Sequence, residues 1–396
     1  MGRRLAPEHH RLRDFLTRAA QPFEWVEAQD DAPDLPHVIE QDGTVTRGAT
    51  VERLAEAWRL SGAPSRTDYD LAIVGAGPAG LAAAVYAASD GLSTLVLERD
   101  LPGGQASHTS LIENFFGFPE GIGGAELARL AGRQAERFGA ELLLLRGVTG
   151  SRRGPDGPFF LEVAGEHEVR ATAVVAAPGM VWRRLDVPGL EELMGRGVYY
   201  GAGRSEAAQC GGEPVVVVGA GNSAGQAVVH LGNAGAQVTM LVRGEALGRS
   251  MSAYLVDRIA SHPGIEVRFR TEVAGVEERD GTLAAVRTSA GDRVPAAALF
   301  LCLGGTPRTG WAEEAGVRTD PAGFILTGPD LLHDGRRPPD WPLARDPLAL
   351  ETSVPGLFAA GDVRHGSTKR VAGAVGEGAM ATALVHRRLA ELLPVG

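Results

Sequence analysis

Sulfur and lysine are what this chain has least of. Cys210 and Cys302 are its only cysteines in 396 residues, which excludes a disulfide framework and any Cys-x-x-Cys motif. Both lie near apolar runs and read as inert buried thiols. Lys369 is the single lysine among 39 basic residues, so arginine carries almost all the positive charge. No apolar run approaches the ~20 residues that cross a bilayer. No secretory signal precedes the fold, and cytoplasmic residence is the expectation. A formal charge of −10 and a pI near 5.6 argue against nonspecific binding to nucleic acid or anionic membranes. No metal site is expected. What the chain does have is the 44% hydrophobic and 22% charged composition of a soluble globular protein, with length for two or three domains.

Its organising stretch is a short apolar run at residues 71–74, broken by Gly75-x-Gly77-x-x-Gly80 and followed by an alanine-rich run at 81–88. This pattern predicts a buried strand, a tight turn and a helix. Gly75 allows the turn, Gly77 lets a pyrophosphate approach the backbone, and Gly80 lets helix and strand pack closely. Pro78 and Ala79 open the helix, whose unpaired N–H groups and positive dipole end suit phosphates. A second strand over 93–97 ends in Glu98, about 20 residues on, where an acid can accept ribose hydroxyls. Strand, turn, helix, strand and terminal acid in order make a dinucleotide site.

A second such motif runs from Pro214 through four valines into Gly219-Ala-Gly221-Asn222-Ser223-Ala224-Gly225 and a helix over 226–231. The strand after it, Gln237–Val242, ends in Arg243 rather than an acid, with Arg249 shortly beyond. A cation there favours a 2′-phosphate, so NADPH is preferred over NADH. A Rossmann-like half that no longer binds nucleotide stays open.

Residues 1–66 differ from the rest. A helix is expected over 8–19, with Leu12, Phe15 and Leu16 on one face. A short strand over 23–26, a Pro36-containing strand, a turn at Asp42-Gly43 and a helix over 51–60 follow, with 61–67 as linker. That order resembles the later part of a thioredoxin or glutaredoxin fold, in which a cis proline opens the third strand, but without its redox cysteines. A packing or dimer-supporting extension is the plain reading.

Leu101-Pro-Gly103-Gly104-Gln105-Ala and Leu111-Ile-Glu-Asn114-Phe-Phe-Gly-Phe-Pro119, downstream of the first glycine motif, resemble the thioredoxin-reductase branch of the two-dinucleotide flavoproteins. The resemblance implies that Gly103, Gly104, Gln105 and Asn114 lie along the flavin and its ribityl chain, and that a strand edge at Val148 passes over the adenine. Thr352-Ser-Val-Pro-Gly-Leu-Phe-Ala-Ala-Gly361-Asp362-Val matches the family's second FAD motif, which gives Asp362 the ribityl hydroxyls. Lys369, Arg370, Val371 and Ala372 then enter a terminal helix that the family points at the flavin O2 and N1 edge. The family has Arg-Gln at Lys369-Arg370, Ala-Thr-Gly where this chain has Ala-Pro178-Gly, and His-Arg-Arg with a further Arg where only Arg243 and Arg249 survive. His365, just after the Gly-Asp motif, and Lys369 are the candidates for acid–base chemistry; for each, a solvated surface role is the alternative.

The resemblance implies an α/β fold with two Rossmann-like three-layer dinucleotide-binding domains, the second inserted in the first, plus a small α/β N-terminal extension. The expected divisions are 1–66, 67–194, 195–305 and 306–396. Thioredoxin reductases carry a Cys-x-x-Cys just before the second glycine motif; Gly201 and Arg204 fall at those positions here. An FAD-dependent oxidoreductase that passes electrons from NADPH to a small molecule, a redox protein or oxygen is the leading expectation, as a homodimer by resemblance. A flavin oxidase or dehydrogenase reduced by its own substrate, with a vestigial nicotinamide domain, and a non-enzymatic redox-sensing flavin module remain alternatives.

Overall fold

The protein is described by a computed structural model. It covers residues 1–3, 6–28, 34–58, 60, 62–154, 157–164, 167–201, 210–249 and 251–393, without the side chains of 313 and 314. The chain divides into two compact units. One comprises Met1–Trp58, His108–Ile112 and Trp182–Gly305; the other comprises Arg59–Ser107, Glu113–Val181 and Thr306–Gly396.

The unit that holds the first glycine motif is built, among the described residues, on a seven-stranded sheet. Its parallel part runs Glu141–Leu143, Thr94–Leu97, Asp68–Val74, His167–Ala176 and Leu357–Ala359. Phe159–Val163 and Val148–Arg153 extend it antiparallel from the first half of His167–Ala176. Leu71, Ala72 and Ile73 are fully buried, as a strand covered on both faces requires. The helix Pro78–Ser89 lies against the helices Gly124–Arg137 and Val371–Leu392. Proline at its first position presets the backbone, and its run of alanines lets neighbours approach on nearly every side. At the closest approach Gly378 meets Ala79: a Cβ at Gly378 would stand 2.1 Å from the Ala79 carbonyl oxygen.

The other unit carries a five-stranded parallel sheet among its described residues, in the order Val198–Tyr200, Ala298–Leu301, Pro214–Val218, Gln237–Val242, Ile265–Phe269. The helices Asn222–Asn233 and Ala253–Ser261 pack together beside it. A three-stranded antiparallel sheet, Val273–Arg279, Thr282–Thr288 and Arg293–Pro295, completes that part. Two sheets built on glycine turns, with helices packed over them, are the expected α/β architecture.

The N-terminal segment belongs to this second unit. Its helix Pro7–Arg18 buries Leu12, Phe15 and Leu16, and Phe15 stacks on Trp58 at 5.9 Å. A hairpin pairs Val38–Ile39 with Val45–Thr46, the Leu35–Pro36 peptide is cis, and the helix Val51–Ala57 is capped by the Thr50 side chain. The strand expected over 23–26 does not form. Among the described residues the only pairing there is an isolated bridge from Gly2 to Glu27, and Phe23 and Val26 are exposed. A run exposed apart from half-buried Trp25, bridged at a single point among the described residues, has nothing to hold it extended in a ladder. Residue 61 of the expected linker lies outside the described residues.

Candidate functional site

The first turn is shaped by backbone that approaches too closely for side chains. Gly75 has φ +102°, and a Cβ on it would stand 2.3 Å from the Ala177 carbonyl oxygen. A Cβ on Gly80 would stand 1.8 Å from the Gly75 oxygen. Over Gly77 the space is open, as a phosphate approaching the helix N-terminus needs. Pro78 and Ala79 begin the helix. Pro178, in place of the family's threonine, leaves the neighbouring connection intact, since the Ala177 amide donates to the Val74 carbonyl at 2.8 Å.

Glu98 is buried at the end of its strand. Its carboxylate accepts from the Ala76 amide at 2.7 Å and the Asp100 amide at 2.9 Å. Burial pushes its pKa up, and the two amides oppose that shift. The residue therefore braces the glycine turn from within, and each oxygen keeps a lone pair for a hydroxyl. The Arg146 amide donates to the Glu98 carbonyl at 2.8 Å, and a Cβ on Gly147 would lie 3.0 Å from the Arg99 Cβ. Val148, next along, is thereby carried to the Glu98 end of the sheet.

Gly103 and Gly104 return to the same turn. The Gly103 amide donates to the Ala76 carbonyl at 2.7 Å, and a Cβ on Gly104 would lie 3.4 Å from the Gly77 Cα. Gln105 donates through Nε2 to the Met180 carbonyl at 3.1 Å. Asn114 is exposed on its loop.

The Gly361-Asp362 turn closes on the same helix start: a Cβ on Gly361 would lie 3.0 Å from that of Ala79. The Gly361 amide donates to Glu377 Oε2 at 2.7 Å, and Glu377 pairs with Arg364 at 2.7 Å. Burial holds the Asp362 carboxyl above the usual carboxylate range, with Glu377 adding to that and Lys369 opposing it. Lys369 donates from Nζ to the Asp362 carbonyl and stands 4.1 Å over the Phe324 ring. Burial lowers its pKa against the pull of Asp362 and Glu377. It has left-handed backbone, φ +53°, just before Arg370 and the helix that starts with Val371 and Ala372. His365 pairs through Nδ1 with Asp320 at 2.7 Å. Burial pushes Asp320 up, but His365 and the Phe324 and Ala322 amides outweigh it, so its net shift is downward.

Sequence reasoning missed Glu377, Asp320 and Phe324. Glu377 was within reach of it, because an acid between Gly376 and Gly378 in a helix that must pack closely has nowhere to point but the turn. Asp320 and Phe324 carried no such signal.

In the other unit the second turn repeats the backbone of the first. Gly219 has φ +142°, a Cβ there would stand 2.4 Å from the Cys302 carbonyl oxygen, and the space over Gly221 is open. Asn222 accepts from the Ser252 amide at 2.7 Å, while Ser223 and Ala224 continue the first helical turn. Arg243 and Arg249 are both exposed. Cys302 and Cys210 are buried, and neither is in a disulfide. Burial drives the Cys302 thiol up to about 12, only partly offset by Ser223, so it is not a thiolate at neutral pH. Gly201 has φ +75°; Arg204 lies outside the described residues.

Two such turns, one ending in a buried acid and the other in exposed arginines, define a two-dinucleotide flavoprotein. Comparison with known proteins agrees. The Pyridine nucleotide-disulphide oxidoreductase family profile matches residues 69–378, and the chain belongs to that family. It is 34% identical over 330 residues to a thioredoxin reductase of Bacillus subtilis, covering 82% of this chain and 96% of that one. A thioredoxin reductase of Treponema pallidum is likewise 34% identical over 324 residues, covering 80% and 95%. Among solved structures, the thioredoxin reductase of T. acidophilum superposes with a TM-score of 0.71 at 27% identity, over 82% of this chain and 100% of that one. That of Lactococcus lactis gives 0.70 at 29%, with the same coverage.

The chain is thus an FAD- and NADPH-binding oxidoreductase, similar to thioredoxin reductases and lacking their adjacent cysteine pair. The turns fit those groups: each is open above its second glycine and closed by backbone at its first. Among the described residues no helix is long and apolar enough to cross a membrane.

Proposed function

We propose that the protein oxidises NADPH and passes the electrons to a small organic acceptor without any dithiol relay. The observation that carries this reading is the pairing of two intact glycine turns with cysteines that cannot serve as a redox pair. On this reading Gly75, Gly77, Gly80, Glu98, Gly103, Gly104, Gln105, Val148, Gly361 and Asp362 hold FAD, with Asn114 beside it. Gly219, Gly221, Asn222, Ser223, Ala224, Arg243 and Arg249 hold NADPH. Residues 67–194 and 306–396 form the FAD domain, 195–305 the inserted NADPH domain and 1–66 the extension. A cytoplasmic homodimer belongs to the same reading, supported by the resemblance.

FAD supplies reversible two-electron chemistry when bound. The chain's own residues then bind, orient and neutralise. The N-terminus of Val371–Leu392, with Arg370 at its cap position, offers positive potential to an anion. Lys369 adds a cation whose ammonium is steadied by the Asp362 carbonyl. His365, backed by Asp320, is the titratable group available to exchange a proton beside the Gly361-Asp362 turn.

Anaerobic mixing of purified protein with NADPH, followed by flavin absorbance, tests the reading. Rapid bleaching by NADPH, and slower bleaching by NADH, is expected. Bleaching by neither nucleotide but by a metabolite would replace it with a directly reduced oxidase or dehydrogenase. Reduction only by dithionite would leave a flavin module without turnover.

A further inference from the structure

Three stretches far apart in the chain meet at one carboxylate. Glu377 lies between two glycines of the terminal helix Val371–Leu392. Its neighbour Gly378 brings that helix onto the start of the first glycine-motif helix, where a Cβ would stand 2.1 Å from the Ala79 carbonyl oxygen and 3.1 Å from Ala82 Cβ. The Gly361-Asp362 turn arrives at the same place, since a Cβ on Gly361 would lie 3.0 Å from that of Ala79 and 3.7 Å from that of Ala374. Glu377 Oε2 accepts from the Gly361 amide at 2.7 Å, and Oε1 accepts from Arg364 Nη2 at 2.7 Å. Arg364 in turn closes the loop behind the turn: its amide donates to the Gly361 carbonyl at 3.0 Å, and its Nη1 to the His365 carbonyl at 2.8 Å. Only 18% of the Arg364 side chain and 16% of that of Glu377 are exposed. Among the described residues neither has a second ion-pair partner.

We propose that Glu377 is a positioning residue for FAD, and that the charge balance of the Glu377–Arg364 pair tunes the reduction potential of the bound flavin. This rests on the assignment of the Gly361-Asp362 turn to FAD. Gly361 has φ +80° and no side chain of its own to pin a turn that other conformations could replace. A hydrogen bond from its amide to an anion pins it. The same carboxylate acts at a distance, because charges shielded from water interact strongly. Burial is the main cause that raises the Asp362 pKa and lowers that of Lys369; beyond burial, the Glu377 charge opposes loss of the proton at both, and Arg364 works against it at Lys369. Its field therefore reaches two groups of the turn despite its partner. Reduced FAD carries more negative charge than oxidised FAD, so an anion held here disfavours reduction and the guanidinium beside it offsets that effect.

The test is the two-electron midpoint potential of the FAD-loaded protein, measured by dye-coupled reductive titration without NADPH, together with the FAD dissociation constant. Glu377→Gln keeps an acceptor for the Gly361 amide and removes the charge. Its affinity for oxidised FAD should stay within about threefold, the scale of a neutral hydrogen bond exchanged for a charged one. Its preference for reduced over oxidised FAD should rise about tenfold, which is a potential higher by about 30 mV. Glu377→Ala loses the acceptor as well and should weaken FAD roughly 10- to 100-fold. Arg364→Gln leaves the anion unpaired and should lower the potential; the double variant Glu377→Gln with Arg364→Gln should return close to native. A Glu377→Gln potential that stays put would overturn the inference, as would single variants that shift it in the same direction, or Glu377→Gln that loses FAD as badly as Glu377→Ala. Where Arg364→Gln fails to fold, the sign of the Glu377→Gln shift decides. Native protein that takes up no FAD would instead overturn the assignment on which the inference rests.

Discussion

The two glycine turns share a backbone and differ in what surrounds it. Gly75 and Gly219 each face a carbonyl from the strand crossing beside them, Ala177 at 2.3 Å and Cys302 at 2.4 Å from a built Cβ. Their third glycines part ways. Gly80 is locked against the Gly75 carbonyl, whereas a Cβ on Gly225 would first meet the thioether end of Met251, with Sδ and Cε at 2.9 Å, and Leu255 Cδ1 at 3.2 Å. The first turn is braced by buried Glu98; the second opens to exposed Arg243 and Arg249. On the proposed reading the first turn keeps its cofactor and the second exchanges a coenzyme, as the tighter and looser surroundings of their third glycines suit.

Gly80→Val should break the comparison hardest, because its neighbour is backbone and cannot move aside. The purified protein is expected to be insoluble or free of flavin, and full FAD content would show the first turn to be as yielding as the second. Gly225→Ala should keep FAD and stability, since Met251 can swing away and alanine favours the helix by about 1 kcal/mol; its melting temperature is the check.

Glu98→Gln comes next. Removing a charged acceptor that serves two amides costs about 1.5–3 kcal/mol, so the FAD dissociation constant should rise roughly 10- to 100-fold. The pH dependence has a definite sign. Glu98 and Asp362 are both pushed above the usual carboxylate range. Burying their charge costs the apoprotein stability as pH rises from the ordinary carboxyl value through the raised one. FAD that relies on the anions is conversely lost as pH falls through the raised values, above the ~4 of ordinary carboxyls. Flavin retained after ultrafiltration over that range measures it; full retention below pH 4 would contradict it.

Arg243→Glu should produce a smaller effect confined to the second turn. The KM for NADPH is expected to rise about tenfold while that for NADH changes less than threefold. Because the arginines are exposed, the preference should also shrink with added salt. Equal changes for both coenzymes would remove the 2′-phosphate assignment.

Both turns were legible in the sequence because each is local: an apolar strand, three glycines and a helix occupy a dozen neighbouring residues. The glycines at 103, 104 and 361 were legible through resemblance, and the structure brings them to the first turn. The strand expected over 23–26 was not there, since apolar residues without a buried face set no register. The approach of Asp14 Oδ1 to within 3.5 Å of His108 Nδ1 could not have been read at all. Nothing in a sequence links a helix of the extension to a loop after the Gly-Gly-Gln segment; only the packing of His10 on Tyr199 and Pro7 on Gly195 brings them together.

The central claim is that electrons pass through this protein without sulfur. Its most direct test is the double variant Cys210→Ser with Cys302→Ala, assayed for anaerobic flavin bleaching by NADPH and for turnover with benzoquinone. Both rates should stay within twofold of the native protein. A folded, FAD-loaded double variant that bleaches normally but no longer turns over would contradict the claim and return a thiol to the mechanism.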